Sequence, residues 1–162
     1  FDRYARLLLD WSKKINLTAV KPSDWGRRHF LDSISVLGIK EFDHQIGSLV
    51  DVGSGAGFPG LPIKILCPEL RVTLIESTAK KAAFLKRVTM ELEMHNVQVL
   101  NRRLEDCAVD VTLRNSFDCA VARALAPRPK LEPLLQPLIR PGGLLIVFGK
   151  PGKFEVVITQ ET

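Results

Sequence analysis

A chain of 162 residues with 46% hydrophobic and 25% charged residues holds enough apolar material for one packed domain, which excludes a disordered chain. The net charge of +5 permits a polyanionic partner without requiring one. Cys67, Cys107 and Cys119 show no Cys-x-x-Cys spacing and have only three histidines for company, so neither a disulfide framework nor a metal site is expected, and free thiols in a reducing cytoplasm are.

The first 45 residues read as helical. Tyr4, Leu7, Leu8, Trp11 and Ile15 follow the spacing of one apolar helix face. Charges interrupt FDRYARLLLDWSKK throughout, so it is not read as a signal peptide. The chain starts without Met and breaks off at TQET, so residues are expected to be missing at both ends. Ser23 and Asp24 are placed to cap a second helix carrying Phe30, Ile34 and Leu37 and stopping near Gly38.

From about residue 48 strands alternate with helices. SLVDV (48–52) reads as a buried strand running into a Gly-rich turn, followed by a short helix at 62–66 and a second strand at 71–76. Residues 78–95 form the clearest helix, with Phe84, Leu85, Val88 and Leu92 on one face. Strands are expected at 97–101, 117–122, 143–149 and 154–159, with a short or kinked helix in 128–140 because of Pro133 and Pro137. Short apolar strands alternating with helices predict an α/β fold with a doubly wound, mostly parallel sheet. Its ligand should sit beyond the carboxyl ends of the strands, near residues 53, 76 and 123. No apolar run reaches the roughly 20 residues that span a bilayer, so no membrane partner is expected.

The strongest chemical signal is Asp51-Val-Gly53-Ser-Gly55-Ala-Gly57-Phe58-Pro-Gly60. Glycines let a backbone turn tightly and approach a ligand that a Cβ would exclude. Gly55 to Gly60 also fits the G-x-G-x-x-G dinucleotide pattern, which keeps NAD in view. Pro59 and Pro62, however, remove amides where a pyrophosphate needs them. The cationic S-adenosylmethionine suits an acidic Asp51 better. Glu76, at the end of the second strand, is placed to accept hydrogen bonds from two ribose hydroxyls, or to cap the next helix. In the Arg102-Arg103-Leu104-Glu105-Asp106 loop, Leu104 would flank an adenine ring. Arg123 ends a strand inside the expected cleft, where it would position a phosphate or pair with an acid. His29 is a candidate base or a structural histidine. Asn16 to Thr18 and Arg27 to Ser33 are read as an element capping the cleft.

NLTAV (16–20), RRHFLDS (27–33), VDVGSGAGFPGLPIKI (50–65), TLIES (73–77) and VARALAP (121–127) together resemble the bacterial small-subunit ribosomal RNA (guanine-N7)-methyltransferase family, also called the glucose-inhibited division protein B family. The resemblance implies a Rossmann-like class I methyltransferase over residues 1–162, with a helical cap at 1–45 and a cofactor-binding core at 46–162. It implies S-adenosylmethionine as cofactor and methylation of a guanine at ring nitrogen 7 in 16S ribosomal RNA, by a cytoplasmic monomer acting on that RNA or the ribosomal subunit. Cofactor contacts are expected at Asp51, Gly53, Gly55, Phe58, Glu76, Leu104, Glu105 and Arg123. Arg123 and His29 are the candidate catalytic residues, and Asn16, Arg28, Arg128, Lys130 and Lys150 are expected to face RNA. The chain departs from the family at its end, where one strand follows Lys150-Pro-Gly152 and a long helix is missing, so the core is expected to be truncated at that edge. A small-molecule methyltransferase of the same fold is the alternative. An NAD-dependent oxidoreductase and a non-catalytic RNA-binding module are weaker rivals.

Overall fold

The computed structural model describes residues 1–42 and 46–160; the last three positions of the expected 1–45 cap, and residues 161–162, lie outside them. Helix α1 (Asp2–Ser12) turns Tyr4 and Leu8 into the core. It stops short of Ile15 because the amides of Lys14 and Ile15 both fold back onto the Trp11 carbonyl. Ile15 still packs against the core from the following turn.

The second helix is not regular. Residues 22–38 form a succession of short turns: Pro22–Asp24, a wide turn at Gly26–Leu31, α2 (Asp32–Ile34) and a tight turn at Ser35–Gly38. Neither Ser23 nor Asp24 caps them. The Ser33 hydroxyl donates to the His29 carbonyl at 2.5 Å and that of Ser35 to the Asp32 carbonyl at 2.6 Å, and such back-bonding bends helices.

Among the described residues six strands make one sheet in the order β3-β2-β1-β4-β5-β6. They are β1 (Ser48–Val52), β2 (Arg71–Ile75), β3 (Val97–Leu100), β4 (Phe117–Arg123), β5 (Ile139–Phe148) and β6 (Phe154–Ile158). β1 pairs in parallel with both β2 and β4, so strand order reverses beside it; of these six strands β6 alone runs antiparallel. The intervening helices are α3 (Gly60–Leu66), α4 (Ala79–Glu91), α5 (Leu104–Ala108) and α6 (Arg128–Leu135). Two differences from the sequence reading stand out. The Arg102 to Asp106 segment is not all loop, because α5 starts at Leu104 with Glu105 and Asp106 in its first turn, where acids suit the helix dipole. β5 starts four residues early, because the ladder with β4 shifts register and Arg140 to Gly143 bulge out of it.

Helices cover both faces, so the fold is doubly wound. One face carries Leu49, Cys119 and Val121 under α1, the residue 22–38 segment, α3 and α4, with Tyr4, Phe58, Leu61 and Phe84 at its centre. The other carries Val50, Val52, Ala120 and Ala122 under α5 and α6, with Leu104, Leu131 and Leu135. Each such large apolar side chain contributes about 1.5–3 kcal/mol on burial.

Candidate active site

β1 ends at Val52, and the chain leaves the sheet through Gly53, whose φ of +66° favours glycine. The amides of Gly53 and Ser54 both donate to the Ile75 carbonyl, at 2.9 and 3.1 Å, which fixes the loop to the end of β2. The Glu76 carboxylate adds a second tie by accepting from the Gly55 amide at 2.9 Å and the Thr78 amide at 2.7 Å. Asn101 joins β3 to this corner through its side-chain amide, which donates to the carbonyls of Glu76 and Ser77 at 2.8 and 2.9 Å.

These tied ends form the floor of a cavity of about 380 Å³. Small-molecule sites commonly enclose roughly 300–1,000 Å³. Val52, Gly53 and Ile75 lie at its base, Arg103, Leu104 and Glu105 along one wall, and Lys130, Leu131 and Leu134 of α6 along the other. Leu125 and Ala126 close the side toward β4. A wider cleft of about 500 Å³ between α3 and the end of α4 touches none of the strand carboxyl ends, and its cation, Lys64, already donates to the Pro68 and Leu70 carbonyls.

The expected site residues divide between the two faces of the sheet. Gly53, Leu104 and Glu105 line the cavity, and Gly55 and Glu76 stand at its edge through their shared hydrogen bond. Asp51, Phe58 and Arg123 lie on the opposite face. Side chains alternate along a strand, so Asp51 points away from the cavity that Val52 touches. Asp51 is fully buried; Oδ2 accepts from the Gly60 amide at 2.9 Å and Oδ1 has no partner. Burial pushes its pKa up to about 7, against the pull of the Gly60 amide and Arg123.

Phe58 lies between two rings, Tyr4 at 5.3 Å and His29 at 4.4 Å, both nearly parallel to it. The Tyr4 hydroxyl donates to the Ala56 carbonyl, so the glycine loop is held from the cap side as well. Arg123 places its guanidinium carbon 5.1 Å from the Phe58 ring centre. It donates to His29 Nδ1 at 3.0 Å, and to Asp32 Oδ2 and the Arg28 carbonyl at 3.4 Å each. His29 Nδ1 is therefore an acceptor, and Nε2 carries the proton toward the Thr18 hydroxyl at 2.7 Å. Burial, and then Arg123, push the His29 pKa down to about 4, so the ring is neutral near pH 7. Asp32 completes the junction by accepting from the Gly152 amide at 2.6 Å. That bond brings the β5–β6 turn, with exposed Lys150, against the cap that carries exposed Arg28. Asn16, two residues before Thr18, is exposed. Arg128 is engaged by Glu155 at 2.9 Å and Glu132 at 3.4 Å. Lys130 is exposed at the cavity wall.

Sequence reasoning assigned no role to Asn101 or Leu125, and read Ser77 only as a possible helix cap, whereas it lines the cavity. Asn101 was signalled only by its place directly after β3, and Leu125 by its place inside VARALAP. Among the described residues no group of three or more His, Cys, Asp or Glu side chains is arranged to hold a metal ion.

A family model described as rRNA small subunit methyltransferase G matches residues 1–160. The chain is 41% identical over 149 residues to a ribosomal RNA small subunit methyltransferase G from Leuconostoc citreum, covering 91% of this chain and 62% of that protein. It is 43% identical over 147 residues to the protein of that name from Streptococcus sanguinis, covering 90% of this chain and 62% of the relative. The chain thus spans about three fifths of the length of these relatives. Among solved structures, a SAM dependent methyltransferase from Aquifex aeolicus superposes with a TM-score of 0.59 at 24% identity, over 78% of this chain and 66% of that one. The likeness places the fold among the Rossmann-like class I methyltransferases. The family match over nearly the whole chain settles the kinship: this chain belongs to the rRNA small subunit methyltransferase G family.

Proposed function

We propose that the chain takes part in transfer of a methyl group from S-adenosylmethionine to ring nitrogen 7 of a guanine in small-subunit ribosomal RNA. The observation that carries this reading is the cavity at the carboxyl ends of β1 and β2, floored by the left-handed Gly53 of the glycine loop. The lining suits an adenosyl group. Val52, Ile75, Leu104, Leu131 and Leu134 offer apolar faces to a base, and Ser77 and Glu105 offer polar edges. Each Glu76 oxygen takes one backbone N–H and keeps a lone pair for a ribose hydroxyl.

The bound cofactor would supply an electrophilic methyl on a sulfonium. Guanine N7 has a free lone pair and no proton to lose, so the protein needs no strong base. Holding two reactants close and aligned is worth roughly 7–11 kcal/mol. Among the described residues, no histidine or cysteine lines the cavity, which agrees with this demand. Arg123 and His29 act by fixing the cap and the Phe58 end of the loop, since the two terminal guanidinium nitrogens and both ring nitrogens are engaged with one another, Asp32, the Arg28 carbonyl and Thr18. Arg28, Lys130 and Lys150 are the exposed cations that meet phosphates. Asn16 lies on the same cap, and Arg128 joins them when released from its acids.

We read residues 1–162 as one methyltransferase domain and the protein as a cytoplasmic monomer. Among the described residues no helix is long and apolar enough to cross a membrane, in keeping with a ribosomal substrate. The test is transfer of labelled methyl to small-subunit particles that lack the modification, followed by mapping of the labelled base. Label on a single guanine, with binding that weakens steeply as salt rises, is expected. Label on small molecules alone, or binding indifferent to salt, would refute the assignment.

A further inference from the structure

β2 and β3 run side by side until Ile75 stands opposite Leu100, and the Glu76 amide then donates to the Leu100 carbonyl at 3.0 Å. A parallel ladder carried one step further would bring the Arg102 amide to the Glu76 carbonyl. The chain instead turns away toward α5, which starts at Leu104. The donor to the Glu76 carbonyl is the side-chain amide of Asn101, at 2.8 Å, and the same nitrogen reaches the Ser77 carbonyl at 2.9 Å. Both of its N–H groups are thereby engaged. One side chain lets β3 leave the sheet while the end of β2 stays in place.

The segment held in this way belongs to the cavity. Ser77 lines it, and the buried Glu76 stands at its edge. Among the described residues, four hydrogen bonds tie Glu76 and Ser77 to parts of the fold outside their own turn, and Asn101 makes two of them. The other two run from the Glu76 amide to Leu100 and from the Gly55 amide to the Glu76 carboxylate. The bond from the Thr78 amide at 2.7 Å lies within the turn and moves with it. Without Asn101 the Glu76–Ser77 peptide is free to tilt, and the carboxylate tilts with it. Asn101 is itself exposed, so water can replace it at both carbonyls. Its loss therefore leaves no buried carbonyl unpaired and costs little stability. The cost falls on the direction in which the Glu76 carboxylate points.

Resting on the reading of Glu76 as the ribose partner, we propose that Asn101 is a positioning residue for the cofactor: it holds the end of β2 so that the Glu76 carboxylate meets both ribose hydroxyls. Its contribution is then confined to ligands that carry those hydroxyls.

The test is calorimetry with S-adenosylhomocysteine and with its 2′,3′-dideoxy analogue. Parent protein is expected to favour S-adenosylhomocysteine by about tenfold or more, the worth of a hydrogen bond to a charged acceptor. Asn101→Ala should bind S-adenosylhomocysteine about fivefold to tenfold more weakly, the worth of one to two neutral hydrogen bonds, and the dideoxy analogue as the parent does. Asn101→Asp keeps the shape, lacks the donors and turns a carboxylate toward two carbonyl oxygens, so its loss should be at least as large. On a Glu76→Ala background, Asn101→Ala should change neither affinity, because the group it positions is gone. A melting curve establishes that each variant is folded. A loss in Asn101→Ala that is equal for the two ligands makes Asn101 a general brace and overturns the proposal. Parental affinity for both ligands overturns it too, as does a full further loss on the Glu76→Ala background. A parent that binds the two ligands equally overturns the ribose role of Glu76 and the proposal with it, and the parent titrations alone reveal that case.

Discussion

Substituting Gly53 by alanine separates the cavity from the scaffold beneath it. At a φ of +66° an alanine carries strain of about 1–2 kcal/mol. The new methyl would stand 2.9 Å from Leu125 Cδ1, but that atom is the far end of a half-exposed side chain and can rotate away. Stability should therefore fall by little more than the strain, lowering the melting temperature by roughly 2–4 °C per kcal/mol for a chain of this size. Binding should suffer more than folding. The methyl occupies the cavity floor, and a loss of about 1.4 kcal/mol or more, tenfold in affinity for S-adenosylhomocysteine, is expected. Gly57→Ala is the control. Its φ is +94°, and its Cβ would run into Leu61 and come within 2.6 Å of the Tyr4 hydroxyl. Both neighbours are fully buried and cannot yield. Overpacking of about 1–3 kcal/mol adds to the strain there, on the cap side of the sheet. Gly57→Ala should thus lose stability first, and Gly53→Ala affinity first. Calorimetry and thermal melts on both variants decide the matter. A folded Gly53→Ala that binds with parental affinity would show that no ligand rests on this glycine.

Two further substitutions probe the edges of the site. Glu76→Ala removes the acceptor of the Gly55 and Thr78 amides together with the ribose partner, so cofactor affinity should drop by about 1–3 kcal/mol; parental binding in calorimetry would reduce Glu76 to a loop tie. Arg123→Ala strands the buried Asp32 carboxylate with only the Gly152 amide, and should cost about 2–3 kcal/mol in urea unfolding, below the usual figure for a fully buried pair because that amide remains. Arg123→Lys should recover only part of this, since lysine lacks the planar fork that reaches Asp32 and His29 together; an unchanged unfolding midpoint in Arg123→Ala would dismiss the junction.

The sheet was legible because its central strands are unbroken apolar runs punctuated by Gly and Pro, and β1 falls on the expected residues 48–52. The glycine loop was legible as a ligand loop because a ligand and a tight turn both demand the same residue. Its division between two faces was harder to see. Alternation along β1 places Asp51 opposite Val52 and is written in the sequence. The stacking of Phe58 between Tyr4 and His29 depends on residues 54 and 29 positions away. The helical segment at 22–38 hid its irregularity because Ser33 and Ser35 are acceptable on a helix surface, and only their bonds to carbonyls bend it. Helix α5 is too short to show a period, and the start of β5 was masked by Pro141-Gly142-Gly143, which reads as a turn and folds as a bulge.

The buried pair behind the glycine loop sets two opposing pH dependences. Burial raises the Asp51 pKa from 3.8 to about 7, so between those values the folded protein holds a proton that the unfolded chain releases. That group makes stability fall as pH rises across the window, at up to about 1.4 kcal/mol per pH unit. Burial and Arg123 lower the His29 pKa from 6.5 to about 4, so between those values the unfolded chain holds a proton that the folded protein refuses. That group makes stability rise with pH at the same limiting slope. The windows overlap from about 4 to 6.5, and the two slopes cancel there. Asp110, drawn down to about 2 by Thr112 and Arg102, titrates below this range. The parent should thus show a nearly flat unfolding midpoint from pH 4.5 to 6.5. Asp51→Asn removes one slope, and its stability should climb with pH to about 6.5 and then level off. His29→Gln removes the other, and its stability should decline with pH until about 7. Urea unfolding of the three proteins at pH 4.5, 5.5 and 6.5 measures these slopes. If the two variants slope in the same direction, Asp51 and His29 do not titrate as their burial behind Phe58 and Gly60 requires.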